Sequence, residues 1–210
     1  MGSRVSPQIG AASFLDYIHS EPRDCIDLVK RQRQMYLDPS NKGFSFYSAI
    51  HNSLRRAFNS VAAPAEFARA VDNASPSQYL HFAELEKGFA DWWRKTRPRP
   101  SGVKVSSGIH QVEGLTVTLR NFLGWRYANK TELVLPYLKK KPLTYGSANP
   151  LLCLLELEVD HLLPGAKPVI FDVRRGKVLR LHNNVKRRDH YAYVRAEAAK
   201  YVTHWNAMAA

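Results

Sequence analysis

The spacing of apolar residues changes character across residues 97–102, RPRPSG. Upstream, FYSAIHNSLRRAFNSV sets Phe46, Ile50, Leu54, Phe58 and Val61 at three- and four-residue steps, the stripe of an amphipathic helix. Downstream, LTVTLRNFLGWRY alternates Leu115, Val117 and Leu119 with polar neighbours, the period of a half-buried strand. Pro98 and Pro100 remove amide donors and disfavour helix before each ring, so the helical part is predicted to end there. The expected organisation is a helical region over 1–100 and an α+β domain over 101–210. So short a linker implies that the two parts pack together.

Within the first part, SFLDYI suits a helix capped by Ser13. DCIDLVKRQRQMYL carries Ile26, Val29, Met35 and Tyr36 at helical spacing, and DPSNKG over 38–43 reads as a turn. SQYLHFAELEKGFADWWRK predicts a fourth helix with Tyr79, Phe82, Leu85, Phe89 and Trp92 or Trp93 inward. In the second part, KVSSGIHQVEG reads as extended chain and ELVLPYL as a strand. Pro136 places that strand at an edge, a bulge or a bend, since proline has no amide hydrogen for the ladder. NPLLCLLELEVDHLLP is a buried helix with Asn149 as cap and Pro150 as its first residue. AKPVIFDVRRGKVLRL is a strand, a turn at Arg174-Arg175-Gly176 and a second strand, and DHYAYVRAEAAKYVTHWNAM closes as a helix. The sum is an N-terminal helical bundle packed on a small mixed sheet, in the order β-β-α-β-β-α.

Charge points to a partner class. The chain holds 31 Lys and Arg against 18 Asp and Glu, a net +13 at pH 7. Residues 1–100 hold 14 basic and 10 acidic side chains, residues 101–210 hold 17 and 8, so the excess lies in the second part. Surplus of this size favours polyanions. Three groups stand out: Lys139, Lys140 and Lys141; Arg174, Arg175 and Lys177, with Arg180 on the next strand; and Lys186, Arg187 and Arg188. If the three converge they track a phosphate backbone. Trp125, Tyr127, Tyr137, Tyr145 and Tyr191 lie near them in sequence and are candidates for stacking on unpaired bases. The competing expectation is that the aromatics are core and the lysines guard a strand end.

Other chemistries lack their motifs. No glycine cluster makes a phosphate loop, and G-x-S-x-G and H-E-x-x-H are absent. Cys25 and Cys153 sit in apolar surroundings and are expected to be free thiols; neither has the spacing of a zinc ligand. The chain has no apolar run long enough for a membrane span and no signal-peptide core near its start, so a cytoplasmic protein without a membrane partner is expected.

The order of elements over residues 103–205 resembles the PD-(D/E)XK nuclease superfamily, especially its RecB-like branch. The resemblance implies a metal-dependent nuclease, with Mg²⁺ held by strand-end carboxylates beside a lysine. The motif positions depart from that pattern. LTVTLRNF carries no acid where the first Asp falls, and Leu135-Pro136-Tyr137-Leu138 precedes Lys139 where Asp/Glu-x-Lys ends the next strand. Glu132, Glu156, Glu158 and Asp172 are the acids nearby, and Glu156 and Glu158, two apart, cannot share a helix face. Asp172 is expected to bond turn amides or to pair with Arg174 or Lys177. The FDVRRG hairpin is also similar to one in uncharacterised actinobacterial proteins, which implies no activity. His110 and His182, near strand ends, are the candidates for acid-base work. The leading expectation is nucleic-acid binding without chemistry and without a cofactor. The alternatives are an atypical Mg²⁺ nuclease built on Glu132 and Asp172, and a protein-protein adaptor docking through ADWWRK.

Overall fold

A computed structural model describes residues 6–38, 46–60 and 62–208. Val61 and most of the 38–43 turn lie outside the described residues. The fold is α+β, built on a five-stranded mixed sheet in the order β2-β5-β6-β7-β8. Its strands are β2 (Ser101–Val103), β5 (Leu123–Tyr127), β6 (Lys130–Tyr137), β7 (Lys167–Asp172) and β8 (Lys177–Arg180). β5 runs antiparallel to β2 and β6, β6 and β7 are parallel, and β7 and β8 form a hairpin. The parallel pair is joined by α6 (Tyr145–Leu162), and α7 (Arg187–Ala207) ends the chain. From β5 onward the expected β-β-α-β-β-α order is therefore met.

Both faces of this sheet are covered, which explains why ELVLPYL and PVIF are apolar without a break. Alternate residues part to opposite sides. Leu133, Leu135, Tyr137 and Ile170 join one core with α6 and α7. Val134, Leu138, Val169 and Phe171 join another with α3 (Ser48–Ala57), α4 (Ala63–Asp72) and α5 (Pro76–Lys95). The helical region itself divides between the two. α1 (Ala11–Ile18) and α2 (Cys25–Leu37) pack with α6 and α7, so the helices before residue 100 do not form one bundle.

A second sheet was not foreseen. β1 (Gln8–Gly10) pairs parallel with β4 (Leu115–Leu119), which pairs antiparallel with β3 (Gly108–Val112). LTVTLRNFLGWRY is accordingly two strands in two sheets, parted by Asn121 with φ +62°. Pro136 lies in a central strand, not an edge. β5 ends opposite Val134, however, so at Pro136 only the β7 flank is paired.

Helix starts also moved. α1 begins at Ala11 because pairing with β4 runs up to Gly10, and Ser13 sits inside the helix with its hydroxyl 2.9 Å from that of Tyr36. α6 begins at Tyr145, capped by Thr144 and Ser147 in a reciprocal box, which leaves Pro150 inside the helix. Of the predicted inward residues, Tyr79, Ile26, Met35, Tyr36 and Phe46 are exposed, while Trp92 and Trp93 are both buried. The two cysteines are free and buried, and burial pushes the Cys153 thiol up to about 11. No helix among the described residues is long and apolar enough to cross a membrane.

Candidate nucleic-acid interface

The β7–β8 hairpin and the chain after β6 lie against each other, so two of the three basic groups meet. A 3-10 turn, Val173–Arg175, sets Arg175 over Asp172, three residues back, and its Nη1 donates to both carboxylate oxygens at 3.2 and 3.1 Å. Arg175 Nη2 also donates to the carbonyl of Lys140. Arg174 pairs with Glu84 on α5 and donates to the carbonyl of Leu138 at 3.1 Å. The hairpin is held on α5 by close backbone approach. A Cβ on Gly88 would stand 2.2 Å from the carbonyl of Val173, and Gly176 (φ +57°) faces the carbonyl of Gly88. Asp172 therefore pairs with Arg175, not with Arg174 or Lys177. Burial pushes its carboxyl above the usual range, against the pull of Arg175.

The lysine cluster is likewise divided. Lys139 pairs with Asp16 on α1 at 3.0 Å. Lys141 pairs with Glu21 at 3.2 Å and donates to the carbonyl of His19 at 2.8 Å. Arg180 Nε donates to Glu132 Oε1 at 2.7 Å, and Arg187 Nε to Glu156 at 2.5 Å. Six of the ten predicted contact residues thus already hold a carboxylate: Lys139, Lys141, Arg174, Arg175, Arg180 and Arg187. Among the described residues, Lys140, Lys177, Lys186 and Arg188 have no carboxylate partner. Lys177 Nζ stands 5.3 Å from the centre of the Tyr145 ring, whose other neighbour is the His182 ring at 5.1 Å.

Tyr145 is the exposed ring among the five predicted to stack. Trp125 and Tyr137 are buried, and the Tyr137 hydroxyl donates to the Lys141 carbonyl at 2.7 Å. The ADWWRK docking surface is also corrected. Trp92 and Trp93 pack against Phe58 and Phe89, and Trp92 stacks on Trp125 at 4.9 Å, so neither indole is available to a partner.

The carboxylates do not fit a magnesium site. Glu132 is buried and accepts from Trp125 Nε1 at 2.6 Å, from the Tyr127 hydroxyl at 3.2 Å and from Arg180. In the β6–β7 register Glu132 is level with Lys167, whereas Asp172 is level with Tyr137. That is five residues apart, about 16 Å at strand rise. No group of three His, Cys, Asp or Glu among the described residues is placed to hold a metal ion. His110 is a buried tie between elements: its Nδ1 is 2.8 Å from Glu158 on α6 and its Nε2 3.1 Å from the Tyr191 hydroxyl on α7. With both nitrogens engaged it has no free position for a substrate proton. His182 is exposed beside Tyr145.

No protein-family model matches the chain, and no curated protein matches it. What the chain can do must be read from its own surface.

One set of cations escaped the sequence reading. Arg55, Lys104 and Arg120 line a single cleft of about 570 Å³, yet each stands apart from the runs that drew attention. Its walls are the end of α3, β2 with the loop that follows, and the turn between β4 and β5. Only β2 and the break between β4 and β5, neither of which the residue pattern resolved, bring those segments together.

Proposed function

We propose that the protein binds nucleic acid through phosphate contacts that do not read sequence. Its support is the charge left after pairing: Lys140, Lys177, Lys186 and Arg188 have no carboxylate partner among the described residues, on a chain of net +13. The exposed Tyr145 ring, flanked by Lys177 and His182, adds a face on which an unpaired base can stack. The ion-paired arginines act differently. They fix the loop after β6 and the hairpin, the segments that carry Lys140 and Lys177.

The test is fluorescence anisotropy with labelled single- and double-stranded DNA over a range of salt, with and without Mg²⁺. Each duplex phosphate contact contributes about −0.9 to the slope of log K against log salt. Changing Lys140, Lys177, Lys186 and Arg188 together to alanine is expected to flatten the slope by about 3 to 4 and leave folding intact. Tyr145→Ala is expected to weaken single-stranded binding by ~1–3 kcal/mol and duplex binding far less. Binding that the quadruple variant leaves unchanged overturns the proposal, as does no binding near physiological salt. Cleavage with Mg²⁺ overturns its non-catalytic part.

A further inference from the structure

We propose that the cleft between α3, β2 and the β4–β5 turn is a binding site for a phosphate monoester. It shares no residue with the interface above and stands apart from it. Three cations from separate stretches of chain, Arg55, Lys104 and Arg120, line it, and no carboxylate does. Lys104 and Arg120 are exposed and have no partner among the described residues, and Arg55 has only a 3.3 Å bond to Asn52.

Neutral polar groups are present as well. Ser106, Ser107 and Asn121 line the cleft with side chains that have no hydrogen-bond partner among the described residues. Hydroxyls and amides accept as well as donate, so the excess of donors comes from the three cations, which a ligand rich in acceptors and negative charge complements. A phosphate monoester brings three acceptor oxygens and about −1.5 to −2 at pH 7, where a diester brings one charge. The floor is apolar, with Phe58, Val105 and Phe122, and suits the organic part of such a ligand. A volume of about 570 Å³ is that of a small-molecule site and too small for a duplex.

The walls are pre-formed. The Gly102 amide donates to the Phe58 carbonyl at 2.7 Å, tying β2 to the end of α3, and the Ser106 amide donates to the Leu162 carbonyl at 2.9 Å. A Cβ on Gly102 would stand 2.4 Å from the Asn59 side chain, and one on Gly124 would stand 2.7 Å from the Val103 carbonyl. Contacts this close fix the backbone segments that carry Lys104 and Arg120 before any ligand arrives.

Two sources carry the same chemistry: a free nucleotide or sugar phosphate, and the phosphorylated 5′ end of a strand. Isothermal titration calorimetry on the full chain at physiological salt, with inorganic phosphate, ribose 5-phosphate, AMP and adenosine, tests the site. Saturable binding at one site per chain is expected for AMP and not for adenosine, weakened at least tenfold in Lys104→Ala and in Arg120→Ala. Both residues are exposed and unpaired, so the variants are expected to unfold at the wild-type temperature. Competition by a 5′-phosphorylated oligonucleotide, where its 5′-hydroxyl twin competes no better than in the double variant, assigns the site to strand ends. AMP binding without such competition assigns it to free small molecules. Adenosine binding as well as AMP, wild-type affinity in both cleft variants, or no binding of any phosphate probe at millimolar concentration overturns the proposal. The quadruple interface variant is expected to bind AMP normally, which separates a failure here from a failure of the nucleic-acid proposal.

Discussion

Glu132 accepts from an indole, a phenol and a guanidinium at once while itself buried in the sheet. Removing the carboxylate leaves the buried Trp125 indole without its acceptor, while Arg180 is exposed and Tyr127 half-buried, so both keep access to water. Glu132→Ala is expected to cost about 1 to 3 kcal/mol in urea denaturation, and Glu132→Gln less because the amide oxygen still accepts. A loss below about 1 kcal/mol for the alanine variant would mean that the network relaxes or takes up water. His51 carries a pH dependence. Its Nδ1 is sealed from water without a partner, and burial, aided by Arg55, lowers its pKa to about 4. The unfolded chain takes up this proton near pH 6.5, where the folded one refuses it. His51 therefore supports folding fully above pH 6.5, and that support fades as pH falls toward 4, by up to ~3 kcal/mol. The urea midpoint of His51→Leu is expected to fall less than the wild-type midpoint between pH 7.5 and 4.5; parallel curves would refute this. At this scale the sequence was legible only where a residue's partner is near in the chain. Asp172 was correctly expected to serve the hairpin turn, because its partner lies within the same short stretch, although that partner is Arg175 and not Arg174 or Lys177. His110 was taken for a catalytic candidate because Glu158 and Tyr191, 48 and 81 residues away, are invisible in its surroundings.

At the scale of elements, the crossing of α5 over the hairpin turn depends on one missing side chain. An alanine at Gly88 would gain about 1 kcal/mol of helix propensity and drive its methyl into the carbonyls of Val173 and Arg174. The clash is expected to win, giving Gly88→Ala a net loss of about 1 to 3 kcal/mol and a lowered melting temperature. A rise in melting temperature would show that the hairpin can shift without cost. The long helices α5 and α7 were readable because each repeats its pattern over about 20 residues. β1 and β2, three residues each, have no pattern to read. They are strands because β4 and β5, far off in the chain, supply their hydrogen bonds.

For the whole molecule, the α+β class and the location of the charge excess were both legible, because they are sums over many residues. The function of individual charges was not. Lys139 and Lys141 look alike in sequence to Lys140, and only the arrival of α1 and the segment after it on the end of β6 pairs two of the three with acids. Clusters of like charge in sequence therefore overstate the free charge of the folded surface, while scattered cations such as Lys104 and Arg120 understate it.

The placement of α1 and α2 has a consequence for synthesis. Tyr17 meets Tyr201 edge to face at 5.0 Å, and the Tyr201 hydroxyl donates to Gln32 at 2.9 Å, so the first helices find their cover in the last. A ribosome adding about 5 to 20 residues per second needs on the order of ten seconds or more to go from α2 to the end of α7. For much of that interval Phe14, Leu15, Ile18 and Val29 lack the α7 side of the core that they share in the fold. The nascent chain thus carries the apolar face of its first helices only partly covered until α7 is made, and shielding of that face during synthesis bears on its yield in a cell.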